Sequence, residues 1–362
     1  MPGPLKNLYT ESLIDEVGKV ICESLPSFER TAFKQKVFDE QWQTRELKAR
    51  MSHIAESLRP FLPDDYPHAL HILKTASERF SGFEPMLFPA YAELYGMDDF
   101  DASIDALEHM TQFSSSELAV RPFIIRYENQ MMKQMQRWAE SNNHHVRRLA
   151  SEGCRPRLPW AMALPEFKKA PGPVLNVIEK LMHDESEYVR RSVANNLNDI
   201  SKDHPDIVID MLKSRLGEHP NTDWILKHAS RSLLKQGDPQ VLQLFGFCNP
   251  EHVKTVNLEI DKNVAIGKQL AFAFQLHTAD KQLGKLRIEY AIDFMKANGK
   301  QARKIFKVSE ADYSNTTKTV SKTHSFKLIT TRRYYPGRHG FAVIINGRQL
   351  ASAAFELLSE QP

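Results

Sequence analysis

Little in this chain could build a disulfide framework, a membrane span or a metal site. Cysteine occurs three times, at Cys22, Cys154 and Cys248. The set is odd and scattered with no C-x-x-C pair, which argues against paired disulfides and a thiolate zinc site and fits a reducing cytosol. No uninterrupted stretch reaches the ~18 apolar residues that a spanning helix needs. Met1 to Asn7 lacks a basic start followed by an apolar run, so neither secretion nor membrane contact is expected. H-E-x-x-H, P-loop and G-x-G-x-x-G patterns are all missing, and His144 and His145, being adjacent, are expected to leave different sides of a helix. No metal and no cofactor are expected, and the expected location is cytoplasmic, a bacterial-type cytosol beside the nucleoid.

Net charge is also small, +3 over 362 residues, but it hides a polarity. Residues 1–139 hold 15 Lys and Arg against 21 Asp and Glu, residues 140–250 hold 15 against 14, and residues 251–362 hold 18 against 10. Basic charge gathered toward one end favours a nucleic-acid surface, although a solvated basic face with no partner would look the same.

Three stretches can be superposed with an apolar residue at the first, fifth and ninth positions and a cation two places after the first: Val146 to Cys154, Val189 to Leu197, and Ile225 to Leu233. That spacing makes one helical stripe, while Arg148, Arg191 and Lys227 share a different side. Paired-helix units repeating at intervals near ~40 residues point to a HEAT-like array. Elsewhere in the first two thirds, Ile14, Val17, Ile21 and Leu25 form one stripe, and Leu47, Met51, Ile54 and Leu58 another. The Pro-rich segment Gly153 to Pro173 is a long connection for such an array, a place where function is often carried. After Gly246 the period changes to two. Leu270, Phe272 and Phe274 alternate with smaller or polar residues, Leu286, Ile288 and Tyr290 with charged ones, and Asn346-Gly347 reads as a hairpin turn. The expected fold is mainly α: a HEAT-like α-helical repeat solenoid over 1–247, then an immunoglobulin-like β-sandwich over 248–362.

The string Arg147-Arg148-Leu149-Ala150-Ser151-Glu152-Gly153-Cys154-Arg155-Pro156-Arg157-Leu158-Pro159-Trp160, followed by Val189 to Lys202, resembles the AlkC DNA glycosylases, relatives of AlkD among the HEAT-like repeat enzymes. Glu46 to Met51 and Trp224 to Lys235 look similar too, so the likeness spans roughly residues 5–245. The resemblance implies excision of cationic N3-methylated bases, chiefly 3-methyladenine and with it 3-methylcytosine, during base excision repair of alkylated double-stranded DNA. It also implies that the lesion is recognised without being drawn fully into a pocket, and a long form of the family ends in an immunoglobulin-like domain. A monomeric enzyme is expected.

Chemistry assigns roles. A base already cationic needs little protonation to leave, so the enzyme must steady an oxocarbenium-like sugar and hold a water beside it, work suited to a carboxylate. Glu152 takes that role, four residues after Arg148 and on its face; the plainer alternative is an ordinary exposed ion pair. Glu117 closes Ser114-Ser115-Ser116-Glu117, which reads as a capping box with Ser114 as N-cap, yet the resemblance suggests a second acid at the lesion. Trp160 offers an indole face to a cationic base, against the alternative of packing its loop. Trp138 and Trp224 read as core. Arg148, Arg155, Arg157, Arg190, Arg191, Lys227 and Arg231 are candidates for the DNA backbone, with about half expected to be merely solvated. Asn195 and Asp199 follow Arg191 on its exposed side and could bond the backbone or orient the arginines. In the β domain Arg332 and Arg333 lie in a loop of cations and aromatics that could enter a minor groove and complete a clamp, or be a solvated turn. Two rival readings stay open: a non-catalytic HEAT-repeat scaffold binding DNA or protein, and a structural protein whose sandwich binds a partner.

Overall fold

The computed structural model describes residues 4–329 and 332–359. Contacts divide the chain into two compact units, Met1–Ala229 and Ser230–Pro362, and the change from helix to strand falls later, between Leu244 and Val253. Sixteen α-helices and eight strands lie among the described residues.

In the helical unit the apolar stripes become buried faces. Helix Glu11–Ser24 is opened by Thr10, whose hydroxyl accepts from the Leu13 N–H at 3.2 Å, and it buries Ile14, Val17 and Ile21. Helix Leu47–Leu58 buries Met51, Ile54 and Leu58. Prolines mark helix starts at Pro165, Pro205 and Pro220, where the missing N–H would have had no intrahelical partner. Helices His144–Gly153, Glu187–Ile200 and Pro220–Ala229 pack side by side in that order. The first is capped by Asn143, which accepts from the His145 N–H at 2.8 Å, and the second buries Val189, Val193 and Leu197. The third superposed stretch does not stay in one helix, contrary to its spacing. One helix ends at Ala229 and another, Arg231–Gln236, begins after Ser230, so Arg231 leaves from a separate segment.

The second unit carries helices Arg231–Gln236 and Pro239–Leu244 and an immunoglobulin-like sandwich. Its strands are β1 (Val253–Ile260), β2 (Asn263–Ala265), β3 (Gln269–Thr278), β4 (Gly284–Met295), β5 (Gln301–Tyr313), β6 (Thr317–Ser325), β7 (Gly337–Ile345) and β8 (Arg348–Leu358). One sheet runs β1-β3-β6 and the other β2-β8-β7-β4-β5, with β2 parallel to β8 and the remaining pairs antiparallel. Leu270, Phe272 and Phe274 of β3 face Ile288, Tyr290 and Phe341 in the shared core. The β7–β8 turn has Asn346 at φ 46° and Gly347 at φ 78°, the left-handed pair of a tight hairpin. Gly347 also lies against Gly237, where an added Cβ would come within 2.8 Å of the other backbone.

Strand β4 departs from simple alternation, since it is buried on both faces from Leu286 to Ile292. Its charged residues go inside because they are paired: Arg287 donates to Glu289 at 2.6 Å and to Glu310 at 2.8 Å.

Candidate active site and nucleic-acid interface

A chain of alternating charges runs through the helical unit. Helix His144–Gly153 supplies Arg148 and Glu152, and the backbone just beyond it supplies Arg155. Arg148 donates to the Glu117 carboxylate and, at 2.8 Å, to Ser115 Oγ, while its Nη2 lies 3.7 Å from Glu152 Oε1. Arg155 Nη1 donates to the same Glu152 Oε1 at 2.5 Å, and its Nε to Asp199 Oδ2 at 3.0 Å. Lys202 completes the chain on Asp199 Oδ1 at 3.0 Å. Glu152, Arg155 and Asp199 are 5%, 7% and 2% exposed. Burial alone would depress both guanidiniums, but Glu117 and Glu152 around Arg148, and Glu152 and Asp199 around Arg155, outweigh it and hold them above their ordinary values. Tyr188, partly exposed, lies with its ring 4.9 Å from the Arg148 guanidinium carbon. A carboxylate gripped on one oxygen by two cations in this partly dry setting keeps its other oxygen for positive charge brought to that side.

Beside this cluster the chain loops out. Trp160 is 63% exposed, in the left-handed backbone region at φ 62°, and touches Phe83 edge-on at 6.2 Å. Beneath the loop lies Arg121 of helix Val120–Arg126, which donates to the carbonyls of Gly153 and Arg155 at 2.9 Å each and of Met162 at 2.7 Å. Gly153 permits this closeness, because a Cβ there would meet Val120 Cγ2 at 2.7 Å.

A sequence profile of DNA alkylation repair enzymes matches residues 101–233, and one for the C-terminal Ig-like domain of the uncharacterised protein YhaZ matches residues 254–359. The alkylpurine DNA glycosylase AlkC of Pseudomonas fluorescens, solved bound to DNA containing an abasic site analog, superposes with a TM-score of 0.93 at 36% identity, over 98% of this chain and 99% of that one. The chain belongs to the DNA alkylation repair enzyme family. It is also 46% identical to the uncharacterised protein YhaZ of Bacillus subtilis (strain 168), over 98% of this chain and 99% of that protein. Both matches run across the helical and the Ig-like parts of this alkylation repair protein.

Several residues of the alkylation repair protein lie elsewhere than their spacing implies. The capping box is not formed: Ser114 Oγ donates to the Gly82 carbonyl, Glu117 takes bonds from Ser115 and Arg148, and the next helix begins only at Val120. A strong cation within reach outcompetes a backbone N–H for the carboxylate. Asp199 is buried rather than on an exposed side, because Arg155 reaches it from the preceding loop. His144 and His145 do not diverge; their rings lie 4.2 Å apart and both contact Tyr188. Trp138 is core, its Nε1 donating to Glu108 at 2.6 Å, whereas Trp224 is half-buried and stacked on His228.

Among the basic candidates, Arg157 forms a two-pronged pair with Asp203 and Arg191 an exposed one with Glu187. Arg190 donates to the carbonyls of Asp184 and Glu185 and lies over Trp224. Asn195, Lys227 and Arg231 are half-buried. In the sandwich unit Arg332 packs over Phe294 at 4.8 Å and Arg333, exposed, over Tyr335 at 5.4 Å; their neighbours Thr330 and Thr331 lie outside the described residues. Sequence reasoning missed Ser115, Arg121, Tyr188 and Lys202. Tyr188 immediately precedes the second repeat string, which was a usable signal; Arg121, on a short helix without a motif, had none.

Among the described residues no group of three or more His, Cys, Asp or Glu could hold a metal ion, and no helix is long and apolar enough to cross a membrane.

Proposed function

We propose that this protein is a monofunctional DNA glycosylase that hydrolyses the N-glycosidic bond of cationic N3-methylated bases, 3-methyladenine and 3-methylcytosine, in duplex DNA. The observation that carries the reading is Glu152, held on Oε1 by Arg148 and Arg155. The opposite oxygen, Oε2, is then the one to meet a water at the sugar. As the bond breaks, its electron pair goes to the departing base and neutralises that base's charge. Positive charge gathers on the sugar, the water oxygen bonds to C1′, and Glu152 takes the proton. Glu117 supplies the second negative charge nearby, and Trp160 offers an exposed indole that favours a cationic base over a neutral one. Arg157, Arg191 and Arg333 are the cations assigned to phosphates, a sequence-independent grip suited to a genome-wide search. Lys202, the lysine at the end of this chain of charges, is paired with Asp199, which favours water over an amine as the nucleophile and an abasic site as the product. The protein would work as a monomer in the cytoplasm, needing only water as co-reactant.

The test is release of labelled methylated bases from alkylated duplex DNA. Wild type should release them, and Glu152→Gln should slow release by about 10²–10⁴-fold while DNA affinity stays within about threefold. A wild type that releases nothing, or a variant that releases as fast, rejects the reading.

A further inference from the structure

Arg121 is fully buried, 0% exposed, and among the described residues no carboxylate lies within ion-pair distance of it. Burial pushes its guanidinium down to about 10. Its Nη2 is buried without a hydrogen-bond partner. An unpaired guanidinium in a dry interior is a poor way to stabilise a fold, since hydrocarbon of similar volume would avoid the desolvation. What it does instead is geometric. All three of its bonds reach main-chain carbonyls, and those carbonyls flank a single segment: Gly153 and Arg155 beside Glu152, and Met162 two residues beyond Trp160. A planar fork can hold two ends of a segment at a fixed separation, which a lysine cannot. Trp160 needs such help, because it is largely exposed with a strained backbone and meets Phe83 edge-on.

We infer that Arg121 is a positioning residue, a staple that fixes the distance between the Glu152 carboxylate and the Trp160 indole across the lesion. The inference rests on the glycosylase reading above. It is tested by a double-mutant cycle of wild type, Arg121→Met, Trp160→Ala and the double variant, measuring single-turnover base release, DNA Kd and melting temperature. Arg121→Met should slow release by about 2- to 30-fold, no more than Trp160→Ala does, with Kd shifted less than about threefold. On the Trp160→Ala background the same change should slow release less than about threefold, because the staple then has no indole to place. Losses that multiply in the double variant overturn the staple, as does an Arg121→Met protein that loses only melting temperature. If Arg121→Met does not fold, Arg121→Lys takes its place, and failure of both to fold assigns the residue to the fold and overturns the inference. Acrylamide quenching gives a readout independent of activity: the fluorescence lost in Trp160→Ala isolates Trp160, and its quenching must change in Arg121→Met. Unchanged quenching overturns the staple whatever the activity. Absence of base release from wild type, with quenching changed as expected, instead sinks only the glycosylase reading.

Discussion

Each unit of the protein buries a network of arginine and carboxylate, and the two are built differently. In the sandwich, Arg287 and Glu289 stand two apart on β4 and Glu310 sits opposite Arg287 on β5, so one pair of neighbouring strands supplies all three groups, across a register shift between Ile288 and Glu289. That network is closed, with Glu289 at 0% exposure. In the helical unit the partners come from a turn (Glu117), a helix (Arg148 and Glu152), a loop (Arg155) and a second helix (Asp199), with Tyr188 and Trp160 exposed at its margin. Buried charge alone therefore does not mark a site. The informative combination is charge assembled from separate segments next to aromatic surface left open, because only there does a ligand have something to reach.

Three experiments would break or sharpen that contrast. Glu289→Ala should destabilise the sandwich by about 3–5 kcal/mol in chemical denaturation, by removing a partner of the buried Arg287, yet leave base release per folded molecule unchanged; a matching loss of release would erase the distinction between the two networks. Next is His324, which shares a hydrogen bond with the Tyr290 hydroxyl at 2.9 Å. Burial first, then Arg332, push it down to about 4 from 6.5. Because the folded value lies below the unfolded one, the unfolded chain binds the proton first as pH falls. Stability is intact above about 6.5 and declines toward about 4, by up to ~3 kcal/mol. His324→Phe should flatten that window, and an unaltered slope would assign the acid sensitivity elsewhere. The smallest effect belongs to Trp160→Ala. Melting temperature should hold, while release of a cationic base slows by about 2- to 30-fold, the equivalent of ~0.5–2 kcal/mol. A large drop in melting temperature would make the tryptophan a packing residue after all.

Much of the scaffold was legible because it follows from periodicity. The stripes through Ile14 and Met51, the alternation of Leu270, Phe272 and Phe274, and the Asn346-Gly347 turn each state which face goes inside, and each does. The string around Glu152 and Trp160 also pointed to residues that the fold brings near one another, Arg148, Glu152 and Arg155. Their wiring was not legible. Ser114 and Glu117 have the spacing of a capping box, but Arg148, 31 residues later, takes the carboxylate. Asp199 has the spacing of an exposed residue, but Arg155, 44 residues earlier, brings it inside. Ser230 breaks a run that otherwise looks like its two predecessors.

The sequence by itself determined the two architectures and offered Glu152, Trp160 and a set of arginines as candidates, since apolar spacing and residue chemistry are local properties. Only the tertiary structure decided which cation meets which acid, that Glu152 is addressed twice on one oxygen, and that Arg121 lies under the loop that displays Trp160. The two arginines on Glu152 are its near neighbours in sequence, but the bonds of Arg148 to Glu117, of Arg155 to Asp199 and of Arg121 to the loop join residues 31 to 44 positions apart, and there a charged side chain takes its partner from whatever packing brings within ~4 Å, a distance no spacing rule encodes.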